Sequence, residues 1–498
     1  MRPADTLRDS PPSRVVAARA KKSKKTGRAL RDAAYRHHKA GRLRQAYDAY
    51  RAILRERPDD HGALHGLGLL AHQSGQPEEA VRLITRAIAI AGGVLADHPG
   101  NTAYHGDLAD ALRAMGDLER AESAYRVALM LDSAYLPALS GLGIALAERG
   151  AWDEAEARFR RALELVPNEA RLHNNLANVL LARGAVTAAV ARYRRALICD
   201  PGDARAHHNL GAALAAQGRR EDAIASLKRA LAIAPDYVAA RFALGCALAA
   251  TAAPAEARAC FEAVLARQPG HVAARYMLHA FNEGPPPDTA PADYVREILG
   301  QQAARFDAHL VDHLGYRAPD LLRAALDRVA DGSGRGSWSV LDLGCGTGLA
   351  GVAMRDLAGR LVGVDLSPDM IREARTRGIY DELVVADAVD ALAATANAYD
   401  LVVAADLLIY VGRLDGIFRH GRGVLRAGGS FTLSTERCPG DGFTLRPTGR
   451  FAHGEGYVRA RAAAHGLRVA LCEDIDVRNE GGVPLLGQIF VLTTDSQG

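Results

Sequence analysis

The run VLDLGCGTG, Val340–Gly348, decides the fold of the second half of the chain. Its apolar start reads as a short buried strand, which passes through Asp342 into three glycines, Gly344, Gly346 and Gly348. Glycine permits the tight turn and lets a ligand lie against bare backbone at the start of the next helix. Seventeen residues after Gly348 a second run, LVGVD, ends in Asp365, and a third, LVVAD, ends in Asp387. Short apolar runs at Ser339–Leu343, Leu361–Val364, Glu382–Val385, Leu401–Ala404 and Ser430–Ser434 alternate with helical stretches. That alternation predicts βαβ units and a parallel sheet. Leu467–Leu471 and Gln488–Leu492 predict two more strands, joined as an antiparallel hairpin at the sheet end.

A carboxylate at Asp365 can accept both hydroxyls of a ribose. The glycines alone are ambiguous. Gly346, Gly348 and Gly351 also match the dinucleotide pattern GxGxxG, with an acid 19 residues after Gly346, so a NAD-dependent oxidoreductase stays open at this point. Four features favour S-adenosylmethionine instead. Asp342 stands two residues before the first glycine, suited to the cationic amino-acid end of that cofactor. Asp387 can accept from the adenine amino group. The terminal hairpin suits the last strands of a methyltransferase sheet, and no substrate domain with a hydride-transfer constellation follows.

On these residues the segment from Tyr294 to the end resembles class I methyltransferases. The motifs are LDLGCGTG at Leu341–Gly348, Asp365, Asp387-Ala388, and LRAGGSF at Leu425–Phe431, where Ala427 replaces the usual proline. The resemblance implies a cofactor site built from Asp342, Gly344, Gly346, Gly348, Asp365, Leu366, Met370, Asp387, Ala388 and Ala404, with Met370 packing on adenine. The whole chain is similar to bacterial methyltransferases that carry tetratricopeptide repeats, and RFDAHLVDHLGYRAP, Arg305–Pro319, belongs to that likeness.

The fourth apolar run, YDLVVAADLLIYV at Tyr399–Val411, ends where this family places residues near the methyl acceptor. It lacks the Asn/Asp-Pro-Pro-Tyr associated with nucleobase and glutamine acceptors and looks more like the small-molecule group. Asp406 matches an acid found there, while Tyr410 stands where a histidine is usual. The sulfonium is already activated, so positioning supplies much of the barrier reduction and a base matters only if the acceptor must lose a proton. Candidates for that role are Asp406, Tyr410, His309 and His453. The competing structural readings are that Asp406 caps the following helix, that His309 and Tyr410 are packing residues, and that His453 is solvated in a glycine-rich loop. Tyr294, Phe306 and His309 in the segment Tyr294–Tyr316 are lid candidates, and Gly440–Gly456 is a second.

The first half repeats every 34 residues. Leu followed by a small residue recurs at Leu108-Ala109, Leu142-Gly143, Leu176-Ala177, Leu210-Gly211 and Leu244-Gly245. Gly116, Gly150, Gly184 and Gly218 keep the step, as do Ala121, Ala155, Ala189, Ala223 and Ala257. Pro167, Pro201, Pro235 and Pro269 close successive units, and Tyr125, Phe159, Tyr193, Leu227 and Phe261 fill the space between helices. Glycine ends the first helix of each unit in a left-handed turn, and proline stops the second. The pattern resembles the tetratricopeptide repeat. Two earlier units fit at Gly41, Ala46, Tyr50, Pro58 and at Leu67-Gly68, Gly75, Ala80. From Ala80 to Ala121 the step is 41, seven residues too long, which predicts a second helix lengthened by about two turns. Seven repeats and a capping helix near Val272–Phe281 result. Such arrays bind peptides or partner proteins on a concave face. Asn175 and Asn209, each before a Leu-small pair, match the asparagine ladder of the repeat superhelix of O-linked N-acetylglucosamine transferase, which implies two rungs of peptide binding.

The organisation expected is a basic tail (1–28), a repeat array (29–281), a Pro-rich linker (282–293, NEGPPPDTAPAD) and a methyltransferase domain (294–498). In fold class this is an all-α tetratricopeptide-repeat superhelix followed by a Rossmann-like, seven-stranded α/β domain. A non-catalytic repeat scaffold with a vestigial domain is the alternative, opposed by the intact acids Asp342, Asp365 and Asp387. The net charge of +4 divides unevenly: Met1–Asp32 holds ten Lys/Arg and three Asp/Glu, or +7, leaving −3 for the rest. The body is therefore not expected to bind nucleic acid. Lys21, Lys22, Lys24 and Lys25 could touch nucleic acid or anionic lipid, with a solvated leader as the plainer reading. None of the six cysteines forms a CxxC pair, so no metal is expected. With no apolar leader and no apolar run of about 18 residues, a reducing cytoplasm is the expected setting.

Overall fold

The computed structural model describes residues 29–92, 99–251, 253–281, 284–303, 306–307, 315–330, 335–395, 398–480 and 483–494. The chain divides into two compact units, Met1–Val179 and Leu180–Gly498. In chain order the helices begin with α1 (29–39), α2 (Leu43–Glu56), α3 (His61–Gln73), α4 (Pro77–Gly92), α5 (Pro99–Ala114), α6 (Leu118–Leu131), α7 (Leu136–Glu148), α8 (Trp152–Leu165) and α9 (Ala170–Ala182). They continue in the second unit with α10 (Val186–Cys199), α11 (Ala204–Ala216), α12 (Arg220–Ile233), α13 (Val238–Ala249), α14 (Pro254–Arg267) and α15 (Val272–Leu278). The described residues thus hold seven helix pairs and a closing helix.

The period has a packing cause at each position. Ala46, Ala80, Ala121, Ala155, Ala189, Ala223 and Ala257 are all fully buried, one per pair. Gly143 and Gly245 face aromatic rings so closely that an added Cβ would come within 2.8 Å of Phe159 and 2.7 Å of Phe261. The turn glycines from Gly41 to Gly218 have φ between 70° and 78°, the left-handed region where a Cβ is costly. After the turn at Gly116 the Asp117 N–H donates back to the Leu112 carbonyl at 3.0 Å, which seals the end of α5.

The long step after Ala80 is shared differently from expectation. α4 has 16 residues against 14 in α6, and α5 has 16 against 13 in α7. The remainder falls in 93–98, outside the described residues.

Two helices, α16 (Ala292–Gln302) and α17 (Ala318–Val329), lead into the sheet domain. Then follow β1 (Trp338–Leu343), α18 (Leu349–Met354), β2 (Ala358–Asp365), α19 (Pro368–Thr376), β3 (Glu382–Val385), α20 (Ala388–Ala393), β4 (Tyr399–Ala404), α21 (Asp415–Val424) and β5 (Leu425–Arg437). The chain ends with β6 (Phe443–Leu445), β7 (Phe451–His453), α22 (Glu455–Ala464), β8 (Arg468–Glu480) and β9 (Val483–Thr493). Strands β3-β2-β1-β4-β5 are parallel neighbours in that order. β9 runs antiparallel to β5, and β8 antiparallel to β9. These are the seven strands expected. The described sheet has nine, because a short β6–β7 ribbon pairs through β7 with the far end of β5. The ribbon occupies Gly440–Gly456, where the sequence suggested a lid, and buries Phe451, Ala452 and His453.

Both faces of the sheet are covered. Leu322, Leu326 and Met354 lie against one face, with Val340 and Val491. Phe418, Leu392 and Val458 lie against the other, with Phe431 and Phe490. A third core joins Phe261, Tyr276 and Met277 of the last repeat helices to Tyr294, Leu445 and Phe451. The Pro-rich stretch expected as a linker is extended but anchored. Its Asp288 carbonyl accepts from the Gly412 and Arg413 N–H groups at 2.9 Å, and the Ala290 N–H donates to the Tyr410 carbonyl at 2.9 Å. Among the described residues no helix is long and apolar enough to cross a membrane.

Candidate active site

Strand order reverses at β1, which lies between β2 and β4. Open α/β sheets bind ligands at the carboxyl ends of the strands flanking such a point. A cavity of about 860 Å³ opens there, walled among others by Gly344, Gly346, Asp365, Leu366, Met370, Asp387, Ala388, Asp406 and Tyr410. The structure therefore gathers most of the residues nominated from sequence.

Gly344 and Gly346 have φ of 72° and 53°. The loop is tied to β2 by the Gly344 and Cys345 N–H groups, which donate to the Val364 carbonyl at 2.8 and 2.9 Å. Asp365 secures the next step: Oδ2 accepts from the Gly346 N–H at 2.9 Å and Oδ1 from the Ser367 N–H at 2.8 Å. Burial pushes its pKa upward, against the pull of those bonds. Each oxygen keeps a lone pair for a further donor. Asp387 caps α20, its Oδ1 accepting from Val389 N–H at 2.8 Å and Asp390 N–H at 3.3 Å.

Asp342, Gly348 and Ala404 are not among the residues lining the cavity. Gly348 starts α18 at φ 97°, and Ala404 is fully buried at the end of β4. Asp342 lies buried beneath the loop, its Oδ2 accepting the Tyr380 hydroxyl at 2.6 Å. Oδ1 has no hydrogen-bond partner among the described residues, and burial pushes the pKa up to about 7. Tyr380, unnoticed in the sequence, also accounts for Gly351, where a Cβ would stand 2.2 Å from its hydroxyl. The third glycine of the dinucleotide-like pattern thus serves packing.

Phe306 and Tyr294, both lid candidates, line the cavity. Phe306 is pinned through its neighbour: Asp307 accepts from the Thr347 hydroxyl and pairs with Arg377, which also donates to the Thr347 carbonyl at 2.6 Å. His309 lies outside the described residues. Of the proposed peptide-binding pair, Asn175 sits on α9 in the first unit and Asn209 on α11 in the second, both partly buried.

The cavity is also lined by Asp406, Tyr410, Tyr316, Arg450 and Arg478. Asp406 has φ 56°, the one non-glycine with positive φ among the described residues. Such backbone costs roughly 1–3 kcal/mol and clusters at functional sites. The side chain caps no helix. The Asp406 N–H donates to Ser434 Oγ at 2.9 Å, Ser434 Oγ donates to Oδ1 at 3.2 Å, and Arg478 Nη1 stands 3.5 Å from Oδ2. Arg478 also pairs with buried Glu436 at 2.5 Å, and Arg446 and Arg450 approach that glutamate at 3.3 and 3.9 Å. Burial pushes the Tyr410 phenol up, with Arg450 pulling it down. Cys246 and Ala250 of the last repeat and the strap residues Asp288–Ala292 complete the wall. The Tyr276 hydroxyl, from α15, donates to the Gly449 carbonyl at 3.0 Å.

His453 departs from expectation. It is fully buried, and Nε2 lies 2.9 and 3.1 Å from the carbonyl oxygens of Val411 and Gly412. Carbonyls only accept, so Nε2 carries the proton, and burial lowers the imidazole pKa to about 4. It braces the ribbon and is not a solvated base. A depressed histidine favours the fold while neutral, so its stabilisation is complete above the unfolded value of about 6.5 and is lost as pH falls towards 4. The loss expected is about 3 kcal/mol. Urea unfolding at pH 7 and pH 4.5 checks this: His453→Gln should flatten the pH dependence, and an unchanged dependence would sink the assignment.

Comparison with known proteins agrees with the geometry. A family profile described as a methyltransferase domain matches residues 340–429. Profiles described as tetratricopeptide repeats match 60–134, 140–204, 188–238 and 214–280. A ubiquinone biosynthesis O-methyltransferase of Xanthomonas axonopodis pv. citri is 31% identical over 114 residues, covering 22% of this chain and 48% of that protein. A counterpart from Xanthomonas oryzae pv. oryzae is 32% identical with the same coverage. The chain thus spans about half the length of the curated relatives it matches. Among solved structures, YrrB, described as a TPR protein with an unusual peptide-binding site, is 24% identical with a TM-score of 0.33, covering 38% of this chain and 96% of that one.

Proposed function

We propose that this chain, a methyltransferase domain preceded by tetratricopeptide repeats, is an S-adenosylmethionine-dependent enzyme whose repeats hold a partner or substrate protein. One observation carries the cofactor reading: Asp365 ends β2 and Asp387 follows the adjacent strand β3 by two residues, beside a left-handed glycine loop, on a single cavity.

The residues present fit that cofactor. Asp365 has lone pairs left for the ribose hydroxyls, and Asp387 uses Oδ1 for its cap, leaving Oδ2 for the adenine amino group. Leu366 and Met370 offer an apolar wall to the adenine ring. Asp342 adds negative charge beneath the loop for a cationic ligand. The bound cofactor supplies a methyl group already activated by its sulfonium charge. Tyr294, Phe306 and Tyr410 exclude water and align the acceptor, the source of much of the rate enhancement in such transfers. Asn175 and Asn209 are the residues assigned to peptide contact on the repeats, by analogy of position.

Calorimetric titration of S-adenosylmethionine into the intact protein tests the reading. Asp365→Ala should weaken binding roughly 10–150-fold, the loss of about 1.5–3 kcal/mol for hydrogen bonds to a charged group. No binding to the intact protein at millimolar cofactor overturns the proposal and leaves a repeat scaffold.

A further inference from the structure

The repeats reach into the cavity. Cys246 and Ala250, which line it, both belong to α13. Beside them α16 runs from residues assigned to the cofactor to the last helices of the repeats. At its C-terminal end a Cβ on Gly300 would stand 2.8 Å from Asp369 Oδ2, one residue before Met370. At its N-terminal end the Tyr294 hydroxyl donates to Met277 Sδ at 3.8 Å, and the Tyr294 and Tyr276 rings lie 4.7 Å apart. Its 11 residues span about 16 Å. Burial keeps the Tyr294 phenol protonated, with Cys246 and Tyr410 near enough to add to the effect. Cys246, Tyr294 and Tyr410 are therefore neighbours on the cavity wall.

The surface along α16 is apolar. The helix turns Tyr294, Val295, Ile298 and Leu299 to the cavity, one stripe of an amphipathic helix, while Asp293 and Arg296 pair with each other at 2.9 Å on its exposed side. Ile298 and Leu299 line the cavity yet stay only half-buried, and apolar surface of that kind is what a bound ligand covers. The polar residues of the adjoining strap are spent on holding it in place. Asp288 pairs with Arg413 at 2.9 Å, and the Thr289 hydroxyl donates to the Tyr410 carbonyl at 3.1 Å. The volume of about 860 Å³ stands near the top of the roughly 300–1,000 Å³ range of small-molecule sites, in keeping with a cofactor and a second molecule side by side.

Resting on the methyltransferase reading, we propose that the methyl acceptor is a small molecule with a sizeable apolar body, and that this body lies against α13. The last repeat is then part of the substrate site. Cys246 and Ala250 set how long an acceptor the enzyme takes, and Tyr294 fixes the side of the slot between them and Tyr410. The repeats do more than recruit: their final unit shapes the catalytic pocket, which explains why it shares one apolar core with α16 and the β6–β7 ribbon.

Phenol and 4-butylphenol serve as probes, titrated by calorimetry into full-length protein saturated with S-adenosylhomocysteine. Each buried methylene is worth about fourfold in affinity, so 4-butylphenol should bind on the order of 100-fold more tightly than phenol. Cys246→Trp and Ala250→Trp fill the slot and should each cut that advantage to about tenfold or less, with affinity for S-adenosylmethionine within about twofold of wild type. Ala250 is exposed at the C-cap of α13, so its variant keeps the test open if Cys246→Trp does not fold. A second readout needs no variant. An alkylphenol with a diazirine at the end of its chain, irradiated in the complex, should label the peptide that carries Val238–Ala249, and excess 4-butylphenol should suppress the label. Equal affinity for the two phenols, an advantage that survives Ala250→Trp, or label absent from α13 would each overturn the proposal. Failure of the intact protein to bind S-adenosylmethionine would instead remove the reading on which it rests.

Discussion

Replacing Arg478 with methionine is expected to destabilise the protein by about 3–5 kcal/mol, the cost of stranding one partner of a buried ion pair. Arg478 and Glu436 are each only 2% exposed, and the guanidinium lies 2.5 Å from Glu436 Oε1. Methionine keeps much of the packing volume and removes the charge, so Glu436 loses its shortest contact. Arg446 and Arg450 soften the blow at 3.3 and 3.9 Å, which places the expectation near the lower end of the range. Asp406 loses its cation too, and with it part of what holds a non-glycine residue at φ 56°. Urea unfolding should show a lower midpoint with an unchanged slope. The double variant Arg478→Met/Glu436→Gln should recover part of the loss, because Glu436 no longer carries an uncompensated charge, while Asp406 still lacks the Arg478 cation. A single-variant loss below about 1 kcal/mol, or no recovery in the double, would show that the pair is solvated and not a structural element of the site.

The repeats were legible because stacking makes the same demand on the same position every 34 residues. Ala155, Ala189 and Ala223 recur since each lies at a fully buried helix crossing. In the lengthened unit after Ala80 the described residues give α4 and α5 16 residues each. In the sheet, Glu382–Val385 was read to the residue, and β8 and β9 were found but are much longer than their apolar centres. The outer parts of those strands carry alternating charges such as Asp474, Asp476 and Arg478, which conceal a strand inside a polar sequence. The β6–β7 ribbon, three residues per strand, is too short to have a pattern at all.

Legibility of the site follows the same division. Asp365, Asp387 and Asp406 could be found because a parallel sheet places the ends of its strands along one edge, so chain position dictates location. Arg478 could not, since it reaches Asp406 from 72 residues away on a strand whose register depends on the whole hairpin. Tyr380 and Arg450 were hidden because each lies in a connection between elements, where no pattern marks it. Asp342 was legible as a residue but not in its setting. Its spacing to the glycines matched a ligand contact, while the structure turns its side chain under the loop, towards Tyr380.

That setting gives Asp342 a pH signature which joins stability to function. A carboxyl whose folded pKa is raised from 3.8 to about 7 favours the fold while it is protonated. The contribution is complete below the unfolded pKa of about 4 and is lost as pH rises towards 7, an order of magnitude of 3–4 kcal/mol for a shift of this size. Asp342→Asn cannot ionise. The stability of the variant relative to wild type should therefore climb between pH 4 and pH 8, whatever constant offset the altered hydrogen bond to Tyr380 introduces. Burial outweighs the Tyr380 hydroxyl and the Gly351 backbone, which favour the ionised form. A cation in the cavity would favour the carboxylate, so affinity for S-adenosylmethionine should rise from pH 6 to pH 8 in the wild type and stay level in Asp342→Asn. Urea unfolding across the range and calorimetry at the two pH values read the two halves separately. A flat stability difference would mean that Asp342 is already ionised at low pH. A sloping difference with pH-independent cofactor affinity would mean that the buried charge serves the loop alone and is not felt by the ligand.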